Sequence, residues 1–238
     1  MKQLAWLPEP IRGFLRKGVV LYRTEQEKRN SLRLLKSLNP RLSHEQEYER
    51  YLQNQVMRSW SARTQVDQDN RGEKLVKKLL NSDRRPANDR SVLCVGCRNS
   101  HELNIFRKAG FEKVTGIDLF SSEEAILQMD MHAMTFPDNH FDVVFSCHSL
   151  EHSYDPMRAL SEFARVVKDG GVCTIELPVR FTPTSADLQD FGSLKALKSA
   201  CEPFIGQTLF AEECEGSKSG VARLAFTINK VKNGNGRH

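Results

Sequence analysis

No apolar run in this 238-residue chain approaches the roughly 20 residues that a membrane-spanning helix needs. Met1 to Trp6 is too short and too interrupted for a signal peptide. Cysteine is sparse: six residues are scattered along the chain without the spacing of a disulfide framework. Reduced thiols and a cytoplasmic location are the expectation. The Cys94-x-x-Cys97 pair has no second pair at zinc-finger spacing, and Gly-x-Gly-x-x-Gly is absent, which argues against a nicotinamide enzyme. Internal repeats are also missing. What remains is ordinary globular material, 39% hydrophobic and 27% charged, long enough to bury one substantial core plus an extra helical segment.

Charge divides the chain. Residues 1–85 hold 19 Lys and Arg against 10 Asp and Glu, a net +9, whereas residues 86–238 carry a net −4. The first stretch reads as a basic helical segment. Pro8 and Pro10 interrupt its start, a basic amphipathic run covers Ile11 to Arg23, and Asn39-Pro40 marks a turn. Ser43 and Gln46 have capping-box spacing ahead of a helix carrying Tyr48, Tyr51, Leu52 and Val56. A further helix is expected from about Asp69 to Leu80. The basic face suits either docking on the acidic domain or an anionic partner such as nucleic acid.

After a polar linker at Ser82 to Asp89 the texture changes. Short apolar runs alternate with helical patterns, which predicts an α/β domain over residues 86–238. Strands are expected at Val92–Val95, Val114–Ile117, Ala125–Met129, Phe141–Ser146 and Val172–Leu177. Helices are expected at Glu102–Ala109 and Pro156–Val167. Thr208–Cys214 and Ala222–Val231 read as a closing antiparallel pair. The fold class is therefore a doubly wound, Rossmann-like, mostly parallel seven-stranded sheet with an antiparallel last strand, preceded by a helical N-terminal segment.

Ligands of open parallel sheets bind beyond the carboxyl ends of the strands. Gly96 follows the first strand and opens a loop into a helix whose N-terminus presents N–H groups to an anion. Asp118 follows the second strand, where a carboxylate suits ribose hydroxyls. Asp130 follows the third and suits an adenine amino group. An adenosine with a small anionic tail would need that order.

Val92-Leu93-Cys94-Val95-Gly96-Cys97 resembles the first motif of class I methyltransferases, and Gly116-Ile117-Asp118 their ribose-binding acid. Asp130-Met131-His132, the run Phe136 to Val144, Leu150-Glu151-His152 and Arg165 to Gly171 are similar to the later motifs of the type 11 branch. The resemblance implies S-adenosylmethionine as methyl donor. It also implies cofactor contacts from Gly96, Cys97, Arg98, Asn99, Asp118, Leu119, Asp130, Met131, His132 and Cys147. The loop departs from the family pattern, with Cys94 in place of an acid and Arg98 and Ser100 in place of glycines. Asn99 tolerates a left-handed turn, and Arg98 either pairs with the cofactor's carboxylate or points to solvent.

His148, just past the fourth strand, is the candidate general base for a hydroxyl or amine acceptor, with an ordinary histidine ionisation near 6.5. His152 reads as a packing or loop-ordering residue. His148 to His152 also fits the inverted zinc pattern His-x-x-Glu-His, but zinc ligation needs a helix and this segment leaves a buried strand. The amide-methylating signature is missing after the fourth strand, which argues against DNA bases. Val179 to Gly206, including Ser185 to Phe191, offers only a modest lid, so the N-terminal helices are expected to roof the pocket. A small-molecule acceptor (sugar, glycan end or secondary metabolite) fits best. An RNA acceptor held by the basic segment, or an inactive cofactor- or partner-binding protein, stays open.

Overall fold

A computed structural model describes residues 45–61, 70–121, 123–184, 187–215 and 219–230. The expected helix at Ile11–Arg23, the turn at Asn39-Pro40 and the Ser43 cap lie outside these residues. Helix α1 spans Glu45–Ser61 and α2 Arg71–Ser82. The remaining order is β1 (Ser91–Val95), α3 (His101–Lys108), β2 (Lys113–Asp118), β3 (Ile126–Gln128), β4 (Phe141–Cys147), a short 3-10 turn (Leu150–His152), α4 (Pro156–Val166), β5 (Val167–Val179), α5 (Leu194–Cys201), β6 (Ile205–Cys214) and β7 (Gly220–Ile228).

The seven strands form one sheet in the order β3-β2-β1-β4-β5-β7-β6. β7 runs antiparallel to both its neighbours, and the other pairings are parallel. Alternation along β1 explains the two layers that cover the sheet. Leu93 and Val95 face α4 and α5, in a core with Leu160, Phe163 and Leu197. Val92 and Cys94 face the opposite way, against Leu75, Val76 and Leu79 of α2 and Leu103 and Phe106 of α3. The expected division at residue 85 therefore separates α2 from the core that its apolar face completes.

Local chemistry sets the helix starts. Asp155 caps α4 by accepting from the Arg158 N–H at 3.0 Å, with Pro156 at the first helical position. Ser193 caps α5 by accepting from the Ala196 N–H at 3.2 Å. The sequence reading gives no helix at α5, whose eight residues fall short of a strong periodic signal. No helix among the described residues is long and apolar enough to cross a membrane.

Gly116 shows how tightly β2 fits the layer above it. An added Cβ would lie 2.6 Å from Cys97 Sγ, 2.7 Å from Ile126 Cδ1 and 2.8 Å from Leu103 Cδ1. Gly116→Val is expected to destabilise the protein by about 1–3 kcal/mol through overpacking. Urea denaturation checks this, and an unchanged midpoint would contradict the packing described.

Candidate active site

The strand order reverses direction between β1 and β4, so the carboxyl ends of β1, β2 and β4 open a cleft. Val95, Gly96, Arg98, Ile117, Asp118, Leu119, Met129, Met131, His148, Ser149 and His152 line it, together with Tyr51, Gln55, Arg58 and Ser59 of α1. Counted together with the solvent at its open mouth, the cleft takes in about 510 Å³.

Gly96 forms the floor of the first loop. Its φ is +72°, and an added Cβ would sit 2.4 Å from Ser149 Cβ, so both backbone conformation and close approach require glycine here. The loop's amides are heavily committed. Gly96 and Cys97 N–H donate to Ile117 O at 2.8 and 3.2 Å. Arg98 N–H donates to Asp118 Oδ2 at 3.0 Å, Ser100 N–H to Glu123 Oε2 at 2.9 Å, and His101 N–H to Asn99 Oδ1 at 3.1 Å. The helix N-terminus thus meets a carboxylate supplied by the protein itself.

Asp118 ends β2 and accepts three bonds: from Arg98, from Phe120 N–H at 2.9 Å and from Ser59 Oγ at 3.2 Å. Burial raises its carboxyl above the ordinary aspartate value, against the pull of the Phe120 and Arg98 amides. Ile117, Leu119, Met129 and Met131 add apolar surface on the same side of the cleft.

Asp130 takes a different place. It is buried outside the cleft lining, where His132 N–H and Nδ1 meet its Oδ1 at 2.9 and 2.5 Å and Tyr48 O–H donates to Oδ2 at 2.5 Å. The Asp155 N–H points at His132 Nε2 from 3.2 Å, so that nitrogen accepts and Nδ1 carries the proton toward Asp130. Burial alone would raise the Asp130 carboxyl, but its bonds to His132 and Tyr48 hold it down at about 2. The adenine-amino role expected for Asp130 would need an oxygen that these partners already engage. Cys97, Asn99, His132 and Cys147 likewise lie outside the lining, whereas Gly96, Arg98, Asp118, Leu119, Met131 and His148 come together in it.

His148 sits between two buried carboxylates. Its Nε2 is 3.1 Å from Glu176 Oε1 and its Nδ1 is 3.5 Å from Glu151 Oε1. Burial would lower the imidazole's ionisation, but Glu151 and Glu176 overcome that and raise it to about 9. At neutral pH His148 is an imidazolium, so the expected ionisation near 6.5 is corrected: both ring N–H groups are turned to carboxylates, and no lone pair is open to accept a proton. Glu176 also pairs with Arg223, which reaches on to Glu212 at 3.0 Å.

The α1 side of the cleft was not foreseen residue by residue. Tyr48, Tyr51, Leu52 and Val56 pack with Phe120 in a separate apolar cluster. Tyr51 meets the His132 ring edge-on at 6.0 Å and Tyr154 at 5.6 Å. Beyond it Arg58 reaches Asp187 at 2.5 Å, and Asp187 lies 3.0 Å from His152 Nδ1. His152 and Arg58 hold the Asp187 carboxyl well below its usual range. This triad ties α1, the 3-10 turn and the segment after β5 together at the mouth of the cleft. The i, i+3, i+4 spacing of Tyr48, Tyr51 and Leu52 is the one sequence signal that α1 needs an apolar partner.

Residues 93–175 match the family Methyltransf_11, described as Methyltransferase domain. Over 124 residues the chain is 30% identical to the ubiquinone/menaquinone biosynthesis C-methyltransferase UbiE of Francisella philomiragia, covering 52% of this chain and 45% of that protein. The chain therefore spans about half the length of the curated relatives it matches. The N-methyltransferase NodS of Bradyrhizobium japonicum, solved with S-adenosyl-L-homocysteine, shares the fold with a TM-score of 0.56 at 13% identity, covering 73% of this chain and 98% of that one. The [4+2]-cyclase SpnF also shares it, with a TM-score of 0.54 at 17% identity, covering 66% of this chain and 80% of that one. The stretch 93–175, set in this sheet, is thus similar to S-adenosylmethionine-dependent methyltransferase domains.

The residues present fit that cofactor. Gly96 leaves a floor that a Cβ would fill, the Asp118 carboxylate at the end of β2 would suit ribose hydroxyls, and Ile117, Leu119, Met129 and Met131 would offer apolar contact to a flat base. The Arg98 Nε is buried and lacks a partner among the described residues, so a cationic group is already in place for an acidic tail.

Proposed function

We propose that this protein transfers the methyl group of S-adenosylmethionine to an oxygen or nitrogen nucleophile of a small-to-medium acceptor. When bound, the cofactor supplies a methyl group already activated by the sulfonium, so alignment of donor and acceptor provides most of the rate. The observation that carries the reading is that Gly96, Arg98 and Asp118 share one cleft with His148 and His152. Helix α1 covers the same cleft, which shields the transfer from water and favours a small acceptor over a polymer. The likeness to UbiE, named as a C-methyltransferase, supports transfer to carbon as a second reading.

In this reading His148 serves as a fixed cation in the cleft wall rather than a proton acceptor. The acceptor then brings its own available electron pair, as an ionised hydroxyl, a neutral amine or an electron-rich carbon does. Incubation with methyl-labelled cofactor and a metabolite panel tests the proposal. Label in a product, with adenosylhomocysteine released in equal amount, supports it; a cofactor that binds without turnover on any acceptor class would count against methyl transfer.

The charge state of His148 has its own test. Its ionisation is raised on folding, so its stabilising contribution is complete below about 6.5 and is lost as pH rises through about 9. That window corresponds to about 3 kcal/mol as an upper bound. Thermal melts from pH 6 to 10 should show the parent losing stability across it and His148→Gln losing much less. Identical profiles would contradict the imidazolium assignment.

A further inference from the structure

We infer that Arg98 grips the free α-carboxylate of the bound cofactor and so makes the site selective for cofactor forms that carry one. The inference rests on the cofactor reading above and assigns a role to a side chain that stands where the family has glycine.

In a glycine-rich loop the backbone itself is open to an anion. Here the amides of Gly96, Cys97, Arg98, Ser100 and His101 all donate to protein oxygens, and the carboxylate at the start of α3 belongs to Glu123. A cofactor carboxylate entering this end of the cleft needs another donor, and Arg98 is the charged residue of the loop that lines it. Its backbone is pinned on both sides, with the N–H on Asp118 and the C=O accepting from Ser121 Oγ at 2.7 Å. A positive φ of 31° sets the direction in which the side chain leaves the loop. The side chain acts on the Asp118 carboxylate only through space, and its Nε is buried without a hydrogen-bond partner among the described residues. A buried guanidinium N–H with nothing to donate to is costly unless a ligand completes it, and a planar fork of donors suits a carboxylate.

Calorimetry with S-adenosylmethionine and its decarboxylated analogue, on the intact protein, separates this role from a structural one. The variants are Arg98→Asn, because asparagine tolerates a positive φ, and Arg98→Lys. Arg98→Asn should bind S-adenosylmethionine about 10–100-fold more weakly, in line with loss of a charge-assisted bond, while its affinity for the decarboxylated form stays within about twofold. Arg98→Lys should recover part of the loss. An equal loss for both ligands, or no loss for either, would overturn the inference and leave the cofactor reading standing. Failure of the parent to bind either ligand would overturn both. Melting temperatures of the variants identify any loss that comes from unfolding.

Discussion

Asp118→Ala should weaken S-adenosylmethionine binding by about 2–4 kcal/mol, roughly 30- to 1000-fold, if the carboxylate makes two charge-assisted bonds to the ribose. The carboxylate stands at the carboxyl end of β2, where an open parallel sheet presents ligand groups. Three protein donors already orient it, two of them the amides of Arg98 and Phe120. The third, the Ser59 hydroxyl, comes from α1 at 3.2 Å and is the one a ribose hydroxyl can exchange with. Ser59→Ala is therefore the control: its affinity should stay within a few-fold of the parent, because the exchanged bond is replaced in kind. Titration calorimetry reads both, and equal affinities for Asp118→Ala and the parent would remove Asp118 from the cofactor site.

Glu176→Ala should destabilise the fold by about 3–5 kcal/mol, the usual consequence of removing one partner of a buried ion pair. Glu176 is fully buried on β5 between the His148 imidazolium at 3.1 Å and the Arg223 guanidinium. Its loss leaves two largely buried cations with less compensation. Glu176→Gln, which keeps an acceptor but not the charge, should cost less and should also lower the His148 ionisation from about 9. Denaturant unfolding gives the stability change, and proton NMR of the histidine ring gives the ionisation. A Glu176→Ala protein as stable as the parent would show that the pairings described contribute nothing.

The sheet was legible because its strands are short, apolar and rich in β-branched residues, and because each loop of interest follows a strand end. Gly96 and Asp118 could be placed for the same reason: position after a strand is a local property of the sequence. Asp130 was legible as a strand-end acid but not as a partner of Tyr48, which lies 82 positions away on α1. Nor could the strand periodicity show that His132, two residues on, turns its ring back onto the same carboxylate. The state of His148 depends on register. Cys147 of β4 lies opposite Glu176 of β5, which brings that glutamate to the next residue, and parallel pairing of residues 29 positions apart is not written in either strand alone. Helix α1 shows the same limit. Its apolar face announces a partner but not that the partner is the cofactor cleft.

The central claim is that the loop after β1, Asp118 and helix α1 enclose one site for S-adenosylmethionine. Titration calorimetry of the parent protein with this cofactor tests it most directly, and the account predicts saturable one-to-one binding that Asp118→Ala weakens about 30-fold or more. Absence of binding by a folded parent protein would contradict it.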